Sequence, residues 1–211
     1  EWWAAEVLAV LAGLLPHGDL AVGANGLLFS TLAICYQTFT ATQIATTTRV
    51  GNLVGSQEPG RIPTSIATSL AIAGALAGAV AAALQFWGPD ILRLYTDEAG
   101  ILGEATRANL GTVLSVPPYA LMMCLLGALR GAGLQAWGAA SVAVAFYVVG
   151  LPAGALMGLK WGMDLLGIWM GNVIALSLGA LAMGVRICTV RWSAVVTDAA
   201  VRAKAPTDSL A

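Results

Sequence analysis

The sequence is short of charge. Only 10% of its 211 residues are charged, against about 25% in soluble globular domains. A soluble fold of this length needs more charged groups to cover its surface, and the mean hydropathy of +0.81 agrees. The net charge of -1 excludes the broad basic surface that nucleic-acid binding requires, so no nucleic-acid partner is expected. These shortages predict a polytopic membrane protein.

Cysteine and histidine are also scarce. Cys35, Cys124 and Cys188 lie far apart without a CxxC pair, which excludes a disulfide framework and a zinc finger. The single histidine, His17, has no second ligand nearby, so no metal site is expected. Because GxSxG, HExxH and Walker A motifs are absent, we expect no enzyme, no ATP binding and no cofactor. Any uphill transport would need an ion gradient.

Long uncharged stretches are what the sequence does contain. Five of them reach the length of about 20 residues that a helix needs to cross a bilayer. A sixth apolar segment near the N-terminus is short and is interpreted as the second half of a helix whose first half is missing. The prediction is an all-α, six-helix transmembrane bundle. Its spans are expected at about 1–15, 21–48, 64–87, 108–129, 136–159 and 165–187.

Basic residues set the orientation. The chain alternates sides so that seven of its ten Lys and Arg residues fall on one face, which is taken as cytoplasmic. Residues 1–191 then form the transmembrane unit, and 192–211 form a short, partly disordered cytoplasmic tail. Small residues mark close helix packing, in a GxxxG at Gly74 and Gly78 and a tandem repeat at Gly150, Gly154 and Gly158.

Two acids near the N-terminus, Glu1 and Glu6, are candidates for proton exchange. An ionisable group at membrane depth is costly and is therefore a functional hypothesis, since desolvation raises the pKa of a carboxyl group. Trp2 lies one helical turn before Glu6 and is a cleft candidate. The alternative is an aromatic belt at the membrane surface with solvated acids.

The second span carries a polar stripe at helical spacing. Its members can line a cleft, or they can form hydrogen bonds between helices, and the spacing favours neither. Tyr119, which follows a proline pair, can also face a cavity or anchor at the interface. The stripe consists of Asn25, Tyr36, Thr40, Gln43 and Thr47.

Short motifs along the chain resemble the C-terminal lobe of multidrug and toxic compound extrusion transporters of the eukaryotic branch. The resemblance runs from residue 1 to about 191 in the family's order. The motifs are EWWAAE (1–6), LAGLLP (11–16), TRVGNLVG (48–55), LYTD (94–97), ALRGAGLQ (128–135), FYVVGLP (146–152) and LGIWMG (166–171).

The resemblance implies one lobe of a twelve-helix antiporter in a plasma or vacuolar membrane, completed by a missing N-terminal lobe. It implies exchange of H⁺, or of Na⁺ in some relatives, for small organic compounds, with Glu1 and Glu6 as coupling carboxylates. Many members carry a further acid on the tenth helix, where this sequence has Tyr119. Two other interpretations remain, a lipid-linked saccharide flippase of the wider superfamily and a non-transporting membrane fragment.

Overall fold

The computed structural model describes residues 2–204, and the side chains of residues 3–203. All regular structure in this part of the chain is helical, which confirms the predicted all-α fold. A short 3-10 turn, Pro59–Arg61, precedes the third helix. The helices are α1 (Trp2–Gly13), α2 (Gly18–Gly55), α3 (Ile62–Arg93), α4 (Ala99–Gly131), α5 (Gln135–Lys160), α6 (Asp164–Thr189) and α7 (Trp192–Lys204).

Helices α2 to α6 are each long and apolar enough to cross a membrane, which confirms an integral, multi-pass membrane protein. Each contains one of the five full spans expected from the uncharged stretches. The helices run past those spans at their ends. Helix α2, with 38 residues, is about 57 Å long at 1.5 Å per residue. It therefore extends beyond the hydrocarbon core, which is about 30 Å thick.

Helix α4 lies at the centre of the bundle and packs against α2, α3 and α6. Two glycines on α4 allow the close approach to α2. A Cβ atom on Gly127 would lie 2.5 Å from the carbonyl oxygen of Gln43, and one on Gly131 would lie 2.6 Å from that of Thr47. The Thr47 hydroxyl donates a hydrogen bond to the Gly127 carbonyl at 3.1 Å. Backbone contact and an interhelical hydrogen bond therefore join α2 to α4.

The tandem glycines of α5 pack as predicted. Gly154 and Gly158 lie against the backbone of α6, where Gly171 and Gly167 face them without side chains. The expectation for Gly74 and Gly78 of α3 is wrong within the part of the chain that the structure describes. A Cβ atom on either glycine would meet nothing within 4 Å, because α3 turns its Ala73 and Ala77 face inward instead.

Helix α5 widens on both sides of Pro152. The turns at Val144–Gly150 and Leu156–Lys160 are π-helical. Proline has no backbone N–H and disturbs the regular α-helical bonding around it, and such wide turns re-aim side chains. The first wide turn carries Phe146, which is buried.

The first part of the expected cytoplasmic tail is helical. It forms helix α7 up to Lys204, and α7 contacts α2 and the 3-10 turn. The rest of that tail, 205–211, lies outside the described residues, so its predicted partial disorder stays a prediction. Val196 of α7 is buried with Val50, Leu53 and Ile62 in a small apolar cluster. Apolar residues at helical spacing supply this contact, and the overall mixed composition of the segment conceals them.

Candidate functional site

A cavity of about 270 Å³ lies inside the bundle and is lined by residues of α1, α2, α4, α5 and α6. It follows single faces of α2 and α4, because the lining residues recur every three or four positions. Its lining from α2 and α4 comprises Phe29, Ala33, Tyr36, Gln37, Thr40, Gln43, Tyr119, Met123, Leu126 and Arg130. The other helices contribute Ala5, Leu8, Phe146, Trp169, Asn172 and Leu176.

The polar stripe of α2 supplies hydrogen-bonding groups to this cavity. Tyr36, Thr40 and Gln43 all line it. The Thr40 hydroxyl donates to the carbonyl oxygen of Tyr36 at 3.3 Å. Thr47 instead bonds across to α4. The two interpretations of the stripe therefore apply to different residues. Tyr36, Thr40 and Gln43 line a cleft, whereas Thr47 forms a hydrogen bond between helices.

Two tyrosines form an aromatic wall of the cavity. The ring centroids of Tyr36 and Tyr119 are 3.5 Å apart, and their planes differ by 9°. Phe39 packs edge-on against Tyr119 at a centroid distance of 6.1 Å. The hydroxyl groups of Tyr36 and Ser115 are 3.2 Å apart and share a hydrogen bond. Contacts from two helices therefore fix the position of both rings.

The structure adds lining residues that the sequence did not single out. Phe146 enters from the wide turn of α5, and Trp169 and Asn172 enter from α6. The Nε1–H group of Trp169 is buried and has no hydrogen-bond partner among the described residues. A buried donor of this kind is costly to leave unpaired. Trp169 and Asn172 are three positions apart on α6, a spacing that places them on one face of the helix. The glycine pattern of that helix, which marks its packing against α5, obscured this signal.

Charge is sparse in the cavity. Of the described residues that line it, Arg130 alone is charged. Arg130 lies in the last turn of α4 and is exposed, so it stands at the cavity's solvent end. The rest of the lining consists of aromatic and aliphatic side chains with a few neutral polar groups, the amides of Gln37, Gln43 and Asn172 and the Thr40 hydroxyl. This lining can bind a small organic molecule by stacking and hydrogen bonding.

The remaining predicted residues lie elsewhere or outside the description. Asn25 is buried in α2 but does not line the cavity. Glu6 is exposed on α1, beside the cavity residue Ala5. Glu1 lies outside the described residues, as does the side chain of Trp2. No group of three or more His, Cys, Asp and Glu side chains within residues 2–204 could hold a metal ion.

Known proteins with similar sequences carry names that refer to extrusion or detoxification. The chain is 25% identical to the human "Multidrug and toxin extrusion protein 2" over 94% of its own length and 33% of the relative's. It is 31% identical to "Protein DETOXIFICATION 55" of Arabidopsis thaliana, covering 92% of this chain and 38% of that protein. The chain therefore spans between a third and two fifths of the length of these relatives.

A solved structure has the same fold. The crystal structure of the eukaryotic MATE transporter AtDTX14 superposes with a TM-score of 0.89 at 27% identity, covering 95% of this chain and 45% of that one. The family model named MatE matches residues 1–156, which is most of the chain. The chain therefore belongs to the MatE family of transporters and forms part of one transporter lobe.

Proposed function

We propose that this chain serves in a secondary active transporter that exports small organic compounds from the cytoplasm in exchange for a cation, H⁺ rather than Na⁺. The observation that carries the proposal is the cavity of about 270 Å³ in a member of a transporter family, lined by aromatic and aliphatic side chains with a few neutral polar groups. Such a lining suits planar organic molecules with a few hydrogen-bonding groups.

A second lobe of the same protein is proposed to complete the cleft. The similar proteins are much longer than this chain. Transporters built from repeated lobes hold substrate between the repeats and rock around it. The exposed face of α1, which carries Glu6 and several apolar residues, is proposed to lie against that second lobe. On this proposal the isolated lobe does not transport.

Coupling is assigned first to Glu6, a carboxylate on α1. Glu6 is the acid nearest in sequence to the cavity residues Ala5 and Leu8. On this proposal Glu6 carries the exchanged proton, and the forms of the transporter with and without that proton favour different packings of the two lobes. Substrate and proton then bind preferentially to different states, and each drives the release of the other. Glu1 is proposed as the second coupling acid.

The test is pH-driven dye efflux from liposomes that contain this lobe together with its N-terminal partner lobe. Glu6→Gln removes the titratable group but keeps the shape of the side chain. We expect efflux to lose its dependence on the pH gradient and to fall by about 100-fold or more, the typical contribution of a positioned proton-transfer group. Glu98→Gln is the matched control, since Glu98 is an exposed acid at the start of α4 outside the cavity.

Undiminished, pH-driven efflux in Glu6→Gln would remove this residue from the mechanism. A loss of efflux in Glu98→Gln of the same size would show that the effect is not specific to α1. Coupling to Na⁺ would instead appear as efflux that follows a sodium gradient and ignores the pH gradient.

A further inference from the structure

A second cavity, of about 540 Å³, lies between the last turns of α2 and the first turns of α3. Ala45, Arg49 and Leu53 form its α2 wall. These residues recur every four positions. They occupy a different face of α2 from the first cavity, the one that Tyr36, Thr40 and Gln43 line, since Ala45 is rotated by about 200° from Gln43. The two cavities therefore use separate surfaces of one helix.

Two arginines border this second cavity, called the groove below, one from α2 and the other from the 3-10 turn before α3. Arg61 stands on the 3-10 turn, where its guanidinium group contacts the carboxylate of Glu58 at 2.7 Å. Arg49 of α2 makes no direct hydrogen bond or close ion pair among the described residues, although its charge also acts on the Glu58 carboxylate from a greater distance. Two positive groups and one partly engaged carboxylate leave the site with net positive charge, and Arg49 is available to an anion.

Hydroxyl groups line the α3 wall. Thr64, Ser65, Thr68 and Ser69 all face the groove. The Thr68 hydroxyl donates to the Thr64 carbonyl at 3.0 Å, whereas those of Ser65 and Ser69 bond to nothing among residues 2–204. Unused hydroxyls beside a guanidinium that makes no direct hydrogen bond are suited to binding phosphate oxygens.

The groove lies where α3 enters the apolar part of the bilayer. After Ser69, α3 has no charged residue until Asp90. The arginines belong to the side of the bundle that carries most of the basic residues, which faces the cytoplasmic leaflet. Anionic lipids concentrate in that leaflet. Ala45 and Leu53 give the α2 wall an apolar surface beside the charged groups.

We propose that this groove is a binding site for the headgroup of an anionic phospholipid of the cytoplasmic leaflet. Arg49 and Arg61 hold the phosphate from two sides, Ser65 and Ser69 donate to its oxygens, and Ala45 lies against the glycerol end of the lipid. The site is separate from the transport cavity, and it does not depend on the proposed transport reaction.

Charge complementarity sets the expected strength. A basic residue near an anionic membrane surface strengthens binding by about fivefold, so two arginines together contribute about 30-fold. A guanidinium fork also fits a phosphate better than an ammonium group does. Replacing both arginines with lysine should therefore weaken binding even though the charge is kept.

Native mass spectrometry of the detergent-solubilised chain tests the proposal, with phosphatidylserine and phosphatidylcholine of identical acyl chains as probes. We expect phosphatidylserine to bind with the higher affinity and Arg49→Gln/Arg61→Gln to weaken that binding by about 30-fold. The control is Arg107→Gln, because Arg107 is likewise paired with an acid three residues away, Glu104, at 3.4 Å, but lies outside the groove. Its affinity should match that of the unchanged chain.

A second variant distinguishes a site with specific hydrogen bonds from non-specific electrostatic attraction of the lipid. Ser65→Ala/Ser69→Ala keeps both arginines, and we expect it to weaken phosphatidylserine binding by about tenfold or more, the contribution of one hydrogen bond to a charged group. Helical circular dichroism confirms that each variant is folded. Unchanged binding in either the arginine or the serine variant would overturn the proposal. So would equal binding of phosphatidylcholine, or displacement of the lipid by inorganic phosphate, which would identify a site for soluble anions.

Discussion

Tyr36 of α2 and Tyr119 of α4 stack face to face, with ring centroids 3.5 Å apart and planes 9° apart. Tyr119 stands where the family resemblance implies an acid in many members. In this chain that position supplies an aromatic surface, which Phe39 supports from the side. The α2–α4 wall of the cavity is therefore suited to stacking on planar ligands.

Replacing Tyr119 with leucine tests that wall. The change keeps an apolar side chain but removes a ring on which a planar ligand can stack, and aromatic pairs contribute about 0.5–1.5 kcal/mol beyond their buried area. We expect a planar fluorescent dye to bind about fivefold more weakly, as measured by fluorescence anisotropy. Tyr147→Leu is the control, because Tyr147 is 45% exposed and lies outside the cavity. Equal affinity of both variants would contradict a role for the stack.

The contact between α2 and α4 depends on Gly127. A Cβ atom there would lie 2.5 Å from the Gln43 carbonyl oxygen, so Gly127→Ala should force the helices apart and cost about 1–3 kcal/mol of unfolding free energy. Gly78→Ala is the matched control, since its Cβ would meet nothing within 4 Å. A helical glycine replaced by alanine without a clash should gain about 0.5–1 kcal/mol.

Thermal unfolding in detergent measures both variants. A melting temperature for Gly127→Ala equal to that of Gly78→Ala would show that α2 and α4 do not approach each other as closely as described.

The loop between α2 and α3 has a pH-dependent ion pair. A hydrogen bond from Arg61 and the charge of Arg61, with a further hydrogen bond from Ser56, lower the pKa of Glu58 from its ordinary value of 4.5. Because the folded-state pKa is lowered, the ionised pair stabilises the loop above pH 4.5, and that stabilisation is lost as pH falls through the lower, folded-state value.

Arg61→Gln should therefore raise the pKa of Glu58 toward 4.5. Carbon-detected NMR of the labelled Glu58 carboxyl group, titrated with acid, measures it. Arg107→Gln should leave the titration unchanged, because Arg107 pairs with Glu104 instead. A Glu58 titration that is the same with and without Arg61 would rule out the pair.

The sequence predicts the spans because uncharged length is a local property. Its helical period also groups Tyr36, Thr40 and Gln43 on one face of α2, and the structure places these three on the cavity. Asn25 shares that period but lies too far along the helix to reach it. The helical period of polar residues identifies one face of the helix. Which part of that face borders a cavity depends on how the neighbouring helices pack.

Tertiary packing determines the features that the sequence did not predict. Phe146 enters the cavity from a widened turn that precedes Pro152. Such a turn shifts the side chains away from the regular α-helical spacing, so that spacing does not predict which face Phe146 lies on. Gly74 and Gly78 match a packing motif as well as Gly154 and Gly158 do, yet only the latter pair meets a facing glycine-rich helix. Helix α7 forms because Val196 finds an apolar cluster built by distant residues.

The most direct test of the proposed substrate cavity is protection of a cysteine placed inside it. Cys35, Cys124 and Cys188 are first replaced with alanine, and Thr40→Cys is then labelled with a small thiol reagent in the presence of a transported dye. Thr48→Cys is the control, since Thr48 is exposed on α2 outside the cavity. We predict that the dye slows labelling at position 40 at the concentrations at which it is transported, and leaves position 48 unaffected. Labelling at position 40 that proceeds at the same rate with and without dye would contradict the account.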